Sequence, residues 1–106
     1  MPKRTRDYES DLVNQLKDPE FSVEYLNASL EDNDEGSDGR FLMALRQVAQ
    51  AHGMTEISER SGMARPALYR ALSGTGNPEF LTLKALLDSL GLKLAVEQRD
   101  HKKEAS

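Results

Sequence analysis

Apolar residues recur mostly at intervals of three and four along this chain, a pattern that predicts helices. A short first helix is expected over residues 8–17, where Leu12, Val13 and Leu16 share one face and Pro19 follows. A second, acidic helix and four more are expected after it. The second helix is expected to begin with an N-cap at Ser22 and to end at about Glu31. The third is expected to begin at Ser37 or Asp38 and to end just before Gly53. The last three are expected near residues 54–61, 66–72 and 80–90.

The pattern changes after Gly91, where the last predicted helix ends. Leu92, Leu94 and Val96 alternate with less apolar residues, and a period of two is typical of a β-strand. A lone strand leaves its backbone groups without partners, so it has to pair with another strand. A second copy of the chain is one candidate. We therefore predict a mainly α protein with one short C-terminal β-strand.

Composition narrows the class of protein. The 106 residues suit one compact domain, and the absence of cysteine excludes disulfides and thiolate metal sites. No apolar run reaches the roughly 18–20 residues that a membrane span needs. No apolar stretch typical of a signal peptide follows the basic start. We expect a cytoplasmic protein that does not interact with a membrane.

The net charge of −4 conceals two regions of opposite sign. Residues 1–38 contain four basic and eleven acidic side chains, whereas residues 39–106 contain ten basic and seven acidic ones. Different partners are expected for regions that differ in this way, although solvated faces without a partner give the same pattern. We predict an acidic N-terminal helical arm and loop over 1–38, a domain over 39–98 and a flexible tail over 99–106.

The stretch from Met54 to Ser73 has the pattern of a helix-turn-helix. Ile57 faces the core, and Ser58 is small enough for a close helix crossing. Gly62 lies in the turn, where a positive φ would strain any residue with a Cβ. Such a motif places its second helix in the major groove of DNA. The alternative is a surface helix in an unrelated bundle.

Leu68, Ala71 and Leu72 anchor the second helix of this motif, which leaves a basic face outward. Arginine can pair with guanine or hold phosphate, and tyrosine can hold phosphate. The Gly-rich segment that follows could meet a phosphate or simply form a tight turn. The candidate DNA-binding residues are Thr55, Arg65, Pro66, Tyr69, Arg70, Ser73, Thr75 and Asn77.

Several segments together resemble a known family. Residues 41–96 look like the lambda-repressor-type (Xre/Cro) helix-turn-helix domain. Residues 41–49, 53–55, 68–74 and 76–78, followed by Gly-Leu-Lys-Leu at 91–94, resemble the HigA-like addiction-module antidote proteins. The resemblance implies a small helical bundle of the lambda-repressor-like type.

The same resemblance implies an antitoxin that neutralises a RelE/HigB-like ribonuclease toxin and represses its own operon, usually as a dimer. Two departures affect the motif. Ala64 stands where the family usually has a capping serine, and this loses a hydrogen bond worth roughly 1 kcal/mol. Pro66 suits a first helical turn and partly compensates, and it makes Arg65 an alternative N-cap. Ser61 is more polar than is usual at a position facing the turn.

The acidic arm has two interpretations. It either docks on a basic toxin, with Tyr25, Leu26 and Leu30 as apolar anchors, or it covers the core of the helix-turn-helix. A stand-alone repressor without a toxin is the alternative function. Catalysis is not expected, because His52 has no nucleophile as a partner and no metal-binding motif occurs. We expect operator DNA, a ribonuclease toxin and a second copy as partners, and no cofactor or metal.

Overall fold

The computed structural model describes residues 10–31 and 35–99, and these residues form six helices. The first helix, α1, covers residues 10–16 of the described part. The others are α2 (Pro19–Leu30), α3 (Ser37–His52), α4 (Met54–Ser61), α5 (Arg65–Ala71) and α6 (Phe80–Ser89). The predicted mainly helical class is therefore confirmed. No helix in the described ranges is long and apolar enough to cross a membrane.

Helix α2 begins three residues before the predicted N-cap, so that prediction was wrong. Asp18 is the N-cap, and its side chain accepts a hydrogen bond from the Glu20 amide at 3.1 Å. Pro19 follows at the first helical position, where its fixed φ favours a helix start. Ser22 is buried inside the helix, and its hydroxyl donates to the carbonyl of Leu16 at 2.7 Å. This bond ties α1 to α2.

Glycines with positive φ end three of the helices. Gly53 has φ 107° between α3 and α4, Gly62 has φ 75° after α4, and Gly91 has φ 77° after α6. A side chain at any of these positions would be strained, which explains why glycine is found there. The helix ends predicted from Gly53, Gly62 and Gly91 are confirmed.

One core joins all six helices. Leu45, Val48, Ile57, Leu68 and Leu72 have no more than 1% of their surface exposed and form its centre. The same cluster takes in residues from both sides of the predicted boundary at residue 38. Its buried members are Leu16, Leu26, Ala44, Leu45, Val48, Ala49, Ala51, Met54, Ile57, Leu68, Leu72, Leu86, Leu87 and Leu90.

The C-terminal segment is not a strand in the single chain. Residues 92–99 have neither helix nor strand, and the described residues contain no strand with which they could pair. The alternation at Leu92, Leu94 and Val96 was interpreted as a strand, but a strand forms only when a neighbour receives its hydrogen bonds. The predicted β-strand is therefore absent within one chain.

Candidate nucleic-acid interface

A three-residue turn, Gly62 to Ala64, joins α4 to α5. The Ser58 hydroxyl donates a hydrogen bond to the carbonyl of Met63, and the Ser61 hydroxyl accepts one from the Met63 amide at 3.3 Å. The polarity of Ser61 thus has a local use, because it satisfies a backbone amide in the turn. These contacts fix the direction in which α5 leaves the turn.

Helix α5 begins without a side-chain cap. Ala64 is the N-cap, with extended backbone angles (φ −66°, ψ 148°) and no side-chain hydrogen bond. Arg65 and Pro66 occupy the first two helical positions and are exposed. The alternative in which Arg65 is the N-cap is therefore wrong. Pro66 needs no amide partner at this position, so the start is tolerated despite the missing cap.

The two sides of α5 differ sharply. Leu68 and Leu72 are fully buried on one side. Pro66, Tyr69, Arg70 and Ser73 follow one another at helical spacings of three, one and three residues, so they lie along one face. Pro66 and Arg70 are exposed, whereas Tyr69 and Ser73 are half-buried at its border.

Arg46 of α3 also belongs to this face, although a role for it was not predicted from the sequence. Its guanidinium carbon lies 4.9 Å from the centroid of the Tyr69 ring. A guanidinium at this distance is attracted by the face of the aromatic ring. The available signal was that Arg46 belongs to a run of five arginines between Arg40 and Arg70. Only the folded chain shows which of the five meets Tyr69.

An open cleft beside α5 brings two predicted residues together. Arg70 and Asn77 both line it, with Ala67 and Thr82 also at its walls. Glu79 lines it as well and contributes a negative charge to the same cleft. The cleft therefore presents the guanidinium of Arg70 and the side-chain amide of Asn77 as hydrogen-bond donors. The carboxylate of Glu79 reduces its positive charge.

The segment between α5 and α6 forms a tight turn. The Gly76 amide donates to the carbonyl of Ser73 at 2.9 Å, and the Ser73 hydroxyl donates to the carbonyl of Arg70 at 3.2 Å. A Cβ on Gly76 would lie 2.6 Å from the carbonyl oxygen of Ala71, so the close approach requires glycine. Thr75 is exposed at the tip of this turn.

The other predicted positions are more separate. Thr55 is exposed in the first turn of α4. Arg60 has a structural role instead: it pairs with Glu56 at 2.6 Å and donates to the carbonyl of Ser89 at 3.2 Å. Arg60 thereby connects α4 to the end of α6.

Comparison with known proteins places the chain in a family. Residues 7–98 match a family described as probable addiction module antidote protein. The chain belongs to this family. An uncharacterized protein of Haemophilus influenzae (strain ATCC 51907 / DSM 11121 / KW20 / Rd) is 38% identical over 99 residues, which cover 92% of this chain and 96% of that protein. No solved structure gave a match.

This member of the antidote family carries its predicted toxin anchors on α2. Leu30 is 51% exposed, and Tyr25 is half-buried, stacked on Phe21 and bonded through its hydroxyl to the side chain of Gln47. Leu26 is only 5% exposed and packs into the core. Leu26 is therefore unavailable as a surface anchor, because the i, i+4 spacing from Ser22 turns it inward.

The same geometry bears on the two interpretations of the acidic arm. Leu16 and Leu26 are core residues, so α1 and α2 cover the remaining helices as the second interpretation expects. The outer face of α2 still carries Glu24, Asn27 and Leu30 in exposed positions. Covering the core and presenting a surface are thus compatible roles for one helix.

Proposed function

We propose that this chain is the antitoxin of a type II toxin–antitoxin system with two binding activities. It binds operator DNA through α4 and α5 as a helix-turn-helix of the lambda-repressor (Xre/Cro) and HigA-like type, and so represses its own operon. It also neutralises a RelE/HigB-like ribonuclease toxin by direct binding. In this proposal the protein acts in the cytoplasm, by binding alone, and has no catalytic site, cofactor or metal.

The observation that carries the DNA-binding part is the outward face of α5. Its leucines are buried while Arg70 and Pro66 are exposed, and Tyr69 carries the Arg46 guanidinium on its ring. Arg70 is the candidate for a base contact in the major groove, since its side chain can pair with guanine O6 and N7. Arg46 and Tyr69 are candidates for phosphate contacts.

The residues around α5 have supporting roles in this proposal. Asn77 lines the same cleft as Arg70, and Thr75 and Ser73 belong to the turn beside it. Arg65 and Thr55 are exposed at the starts of α5 and α4, and both are candidates for phosphate contacts. Phosphate contacts fix the position of a protein on DNA, and base contacts provide sequence specificity.

The DNA-binding part carries only a modest positive charge, which affects how strongly one copy can bind DNA. Residues 39–106 carry ten basic and seven acidic side chains, so one copy neutralises few phosphates. Binding by a homodimer doubles the contacts and matches a two-fold operator. Affinity should decrease with salt less steeply than it does for a strongly basic repressor.

The toxin-binding part rests on the family and on the surface of α2. Antidotes of addiction modules act on a toxin, and an enzyme that cleaves RNA is expected to be basic where it meets phosphates. Glu24 of α2 and Glu31, the C-cap of this helix, are exposed seven residues apart, with Asn27 and Leu30 exposed between them. We assign toxin binding to this acidic face, with Leu30 and Tyr25 as its apolar and aromatic contacts.

A gel-shift titration at fixed salt tests DNA binding. The probe is the DNA immediately upstream of the gene, and Arg70→Ala should weaken binding by roughly 1–3 kcal/mol if the contact is to a base. Lys17→Ala is the matched control, because it removes one exposed positive charge that lies just after α1. Equal affinity of Arg70→Ala and the wild type would refute the assigned helix.

Coexpression with the neighbouring gene product tests neutralisation. Glu24→Lys combined with Glu31→Lys reverses two exposed charges on α2 and should abolish protection while the gel shift is unchanged. Asp88→Lys on α6 is the control for a charge reversal elsewhere on the surface. Full protection by the double variant would exclude the α2 face. If the wild-type protein binds the DNA but protects against no neighbouring gene product, the alternative function of a stand-alone repressor without a toxin is favoured.

A further inference from the structure

Residues 93–98, which follow α6, have neither helix nor strand, and apolar residues alternate with more polar ones from Leu92 to Glu97. Leu94 is 42% exposed and Val96 is 99% exposed. Within the described chain, the backbone groups of residues 93–98 form no hydrogen bond. Backbone amides and carbonyls without partners are a template for pairing with another strand.

A groove runs beneath this segment. Val23 and Leu30 of α2, Phe41 of α3 and Leu87 of α6 line it, and residues 92–95 with Glu97 of the segment itself complete its wall. Val23 and Leu30 are 43% and 51% exposed, so the apolar surface is only partly covered by the chain's own residues. The groove and the open strand edge therefore lie side by side.

The charges of the segment select one occupant and one register. In an antiparallel pair of two copies with a two-fold axis at Ala95, Lys93 of one chain lies opposite Glu97 of the other, twice. The same register places Leu94 opposite Val96, twice. Opposite charges and apolar pairs at directly opposed positions both stabilise a sheet.

Neighbouring registers lack this match. An axis at Val96 places Lys93 opposite Arg99, which are like charges, and an axis at Leu94 places Glu97 opposite Gly91. A shift by a single residue would place apolar and polar residues on the same face of the two-stranded sheet. Only the axis at Ala95 pairs the charges and keeps both apolar rows on one face.

We infer that residues 92–98 pair with the same segment of a second copy of this chain, as an antiparallel two-stranded sheet centred on Ala95. The side chains of Leu92, Leu94 and Val96 from both chains then form one apolar face of this sheet. The opposite face of the sheet carries the two Lys93–Glu97 pairs. This interface deepens the proposed homodimer, and its test uses no DNA, so the outcome is separate from that of the gel shift.

Disulfide trapping tests the register directly, because the chain has no cysteine of its own. In Ala95→Cys the two thiols lie directly opposite each other, with Cβ atoms about 4.5–5.5 Å apart, which is close to disulfide geometry. Gln98→Cys is the matched control: residue 98 is equally exposed, but its two copies are six positions apart along the ladder, about 20 Å.

We expect mild oxidation at micromolar concentration to convert most of Ala95→Cys into covalent dimer and little of Gln98→Cys. Equal crosslinking of the two variants, or none in either, would overturn the inference. A circular-dichroism spectrum of each reduced variant confirms that the fold is intact. Far more crosslinking of Gln98→Cys than of Ala95→Cys would also exclude this register.

Charge exchange provides an independent measurement. Lys93→Glu replaces two opposite-charge pairs by two like-charge pairs and should raise the dimer dissociation constant about tenfold in sedimentation equilibrium at low salt. Glu97→Lys should do the same, and the combined variant Lys93→Glu/Glu97→Lys should restore the wild-type constant. Failure of the combined variant to recover, with both single variants weakened, would show that Lys93 and Glu97 do not face each other.

Discussion

Helices α2 and α5 pack on the same core and present surfaces of opposite charge. Each buries leucines on its inner side: Leu26 in α2, and Leu68 with Leu72 around α5. Outward, α2 carries glutamates and α5 carries arginines. Their starts differ as well, since Asp18 caps α2 through its side chain whereas Ala64 offers α5 no such bond. The inner sides of both helices stabilise one fold, and their outer sides are free to bind different partners.

The largest expected effect concerns the inner side of α2. Leu26→Ala should lower the free energy of unfolding by about 2–5 kcal/mol, because it opens a cavity in the common core. Leu30→Ala is the control and should cost much less, since Leu30 is half exposed. Urea denaturation measures both. Equal, small effects would mean that α2 is a detachable arm and that the comparison with α5 fails.

A smaller loss is expected from the turn that follows α5. Gly76→Ala would place a Cβ 2.6 Å from the carbonyl oxygen of Ala71, so the backbone has to shift, at a cost of about 1–3 kcal/mol in stability. At Gly74 the nearest atom to a new Cβ is a side-chain carbon of Met43 at 3.6 Å, which makes Gly74→Ala a matched control. Thermal denaturation of both variants should show the loss only for Gly76→Ala.

The contact of Arg46 with Tyr69 allows a test of whether the outer face of α5 binds DNA, as the comparison with α2 assumes. Arg46→Ala should weaken operator binding by about 1 kcal/mol, since a phosphate contact is lost and Tyr69 no longer has the guanidinium that packs on its ring. Tyr69→Phe keeps the ring and removes only the hydroxyl. Gel-shift titrations of the two variants separate the roles. Unchanged affinity in both would remove this pair from the interface.

The smallest expected effect is a gain in stability. Ala64→Ser supplies the missing N-cap in a backbone conformation that already suits one, and should stabilise the chain by about 0.5–1 kcal/mol. Ala67→Ser, inside α5, is the control and should be neutral or destabilising, because serine is a poorer helix former. Chemical denaturation distinguishes the two. No gain from Ala64→Ser would indicate that the start of α5 needs no further cap.

Local rules predicted most of the helical structure. Gly53, Gly62 and Gly91 gave helix ends that the backbone confirms, because a positive φ is a property of a single residue and its neighbours. The start of α2 was missed for a related reason: Ser22 is a good cap in isolation, but Asp18 followed by Pro19 is a stronger signal.

Contacts between distant segments could not be predicted from the sequence. The side chains of Arg46 and Tyr69 are separated by 23 positions, and the bond from Arg60 to Ser89 spans 29. Leu26 and Leu30 look alike in the sequence, and only the packing of α2 on α3 shows that one is buried and the other is not. A strand at Leu92 was predicted from alternation, but a strand also requires a neighbour that periodicity does not provide.

Two adjacent side chains of α3 have a consequence for how such a protein could diverge. Gln47 is bonded to Tyr25 of α2, and Arg46 lies over Tyr69 of α5. Under the proposed function, a lineage that acquires a different toxin can change the exposed residues of α2 freely. A rotation or shift of α3 would disturb the DNA-binding face as well, because α3 contacts both α2 and α5. We therefore expect relatives with different toxins to differ at positions such as 24, 27 and 31 and to agree at 46 and 47.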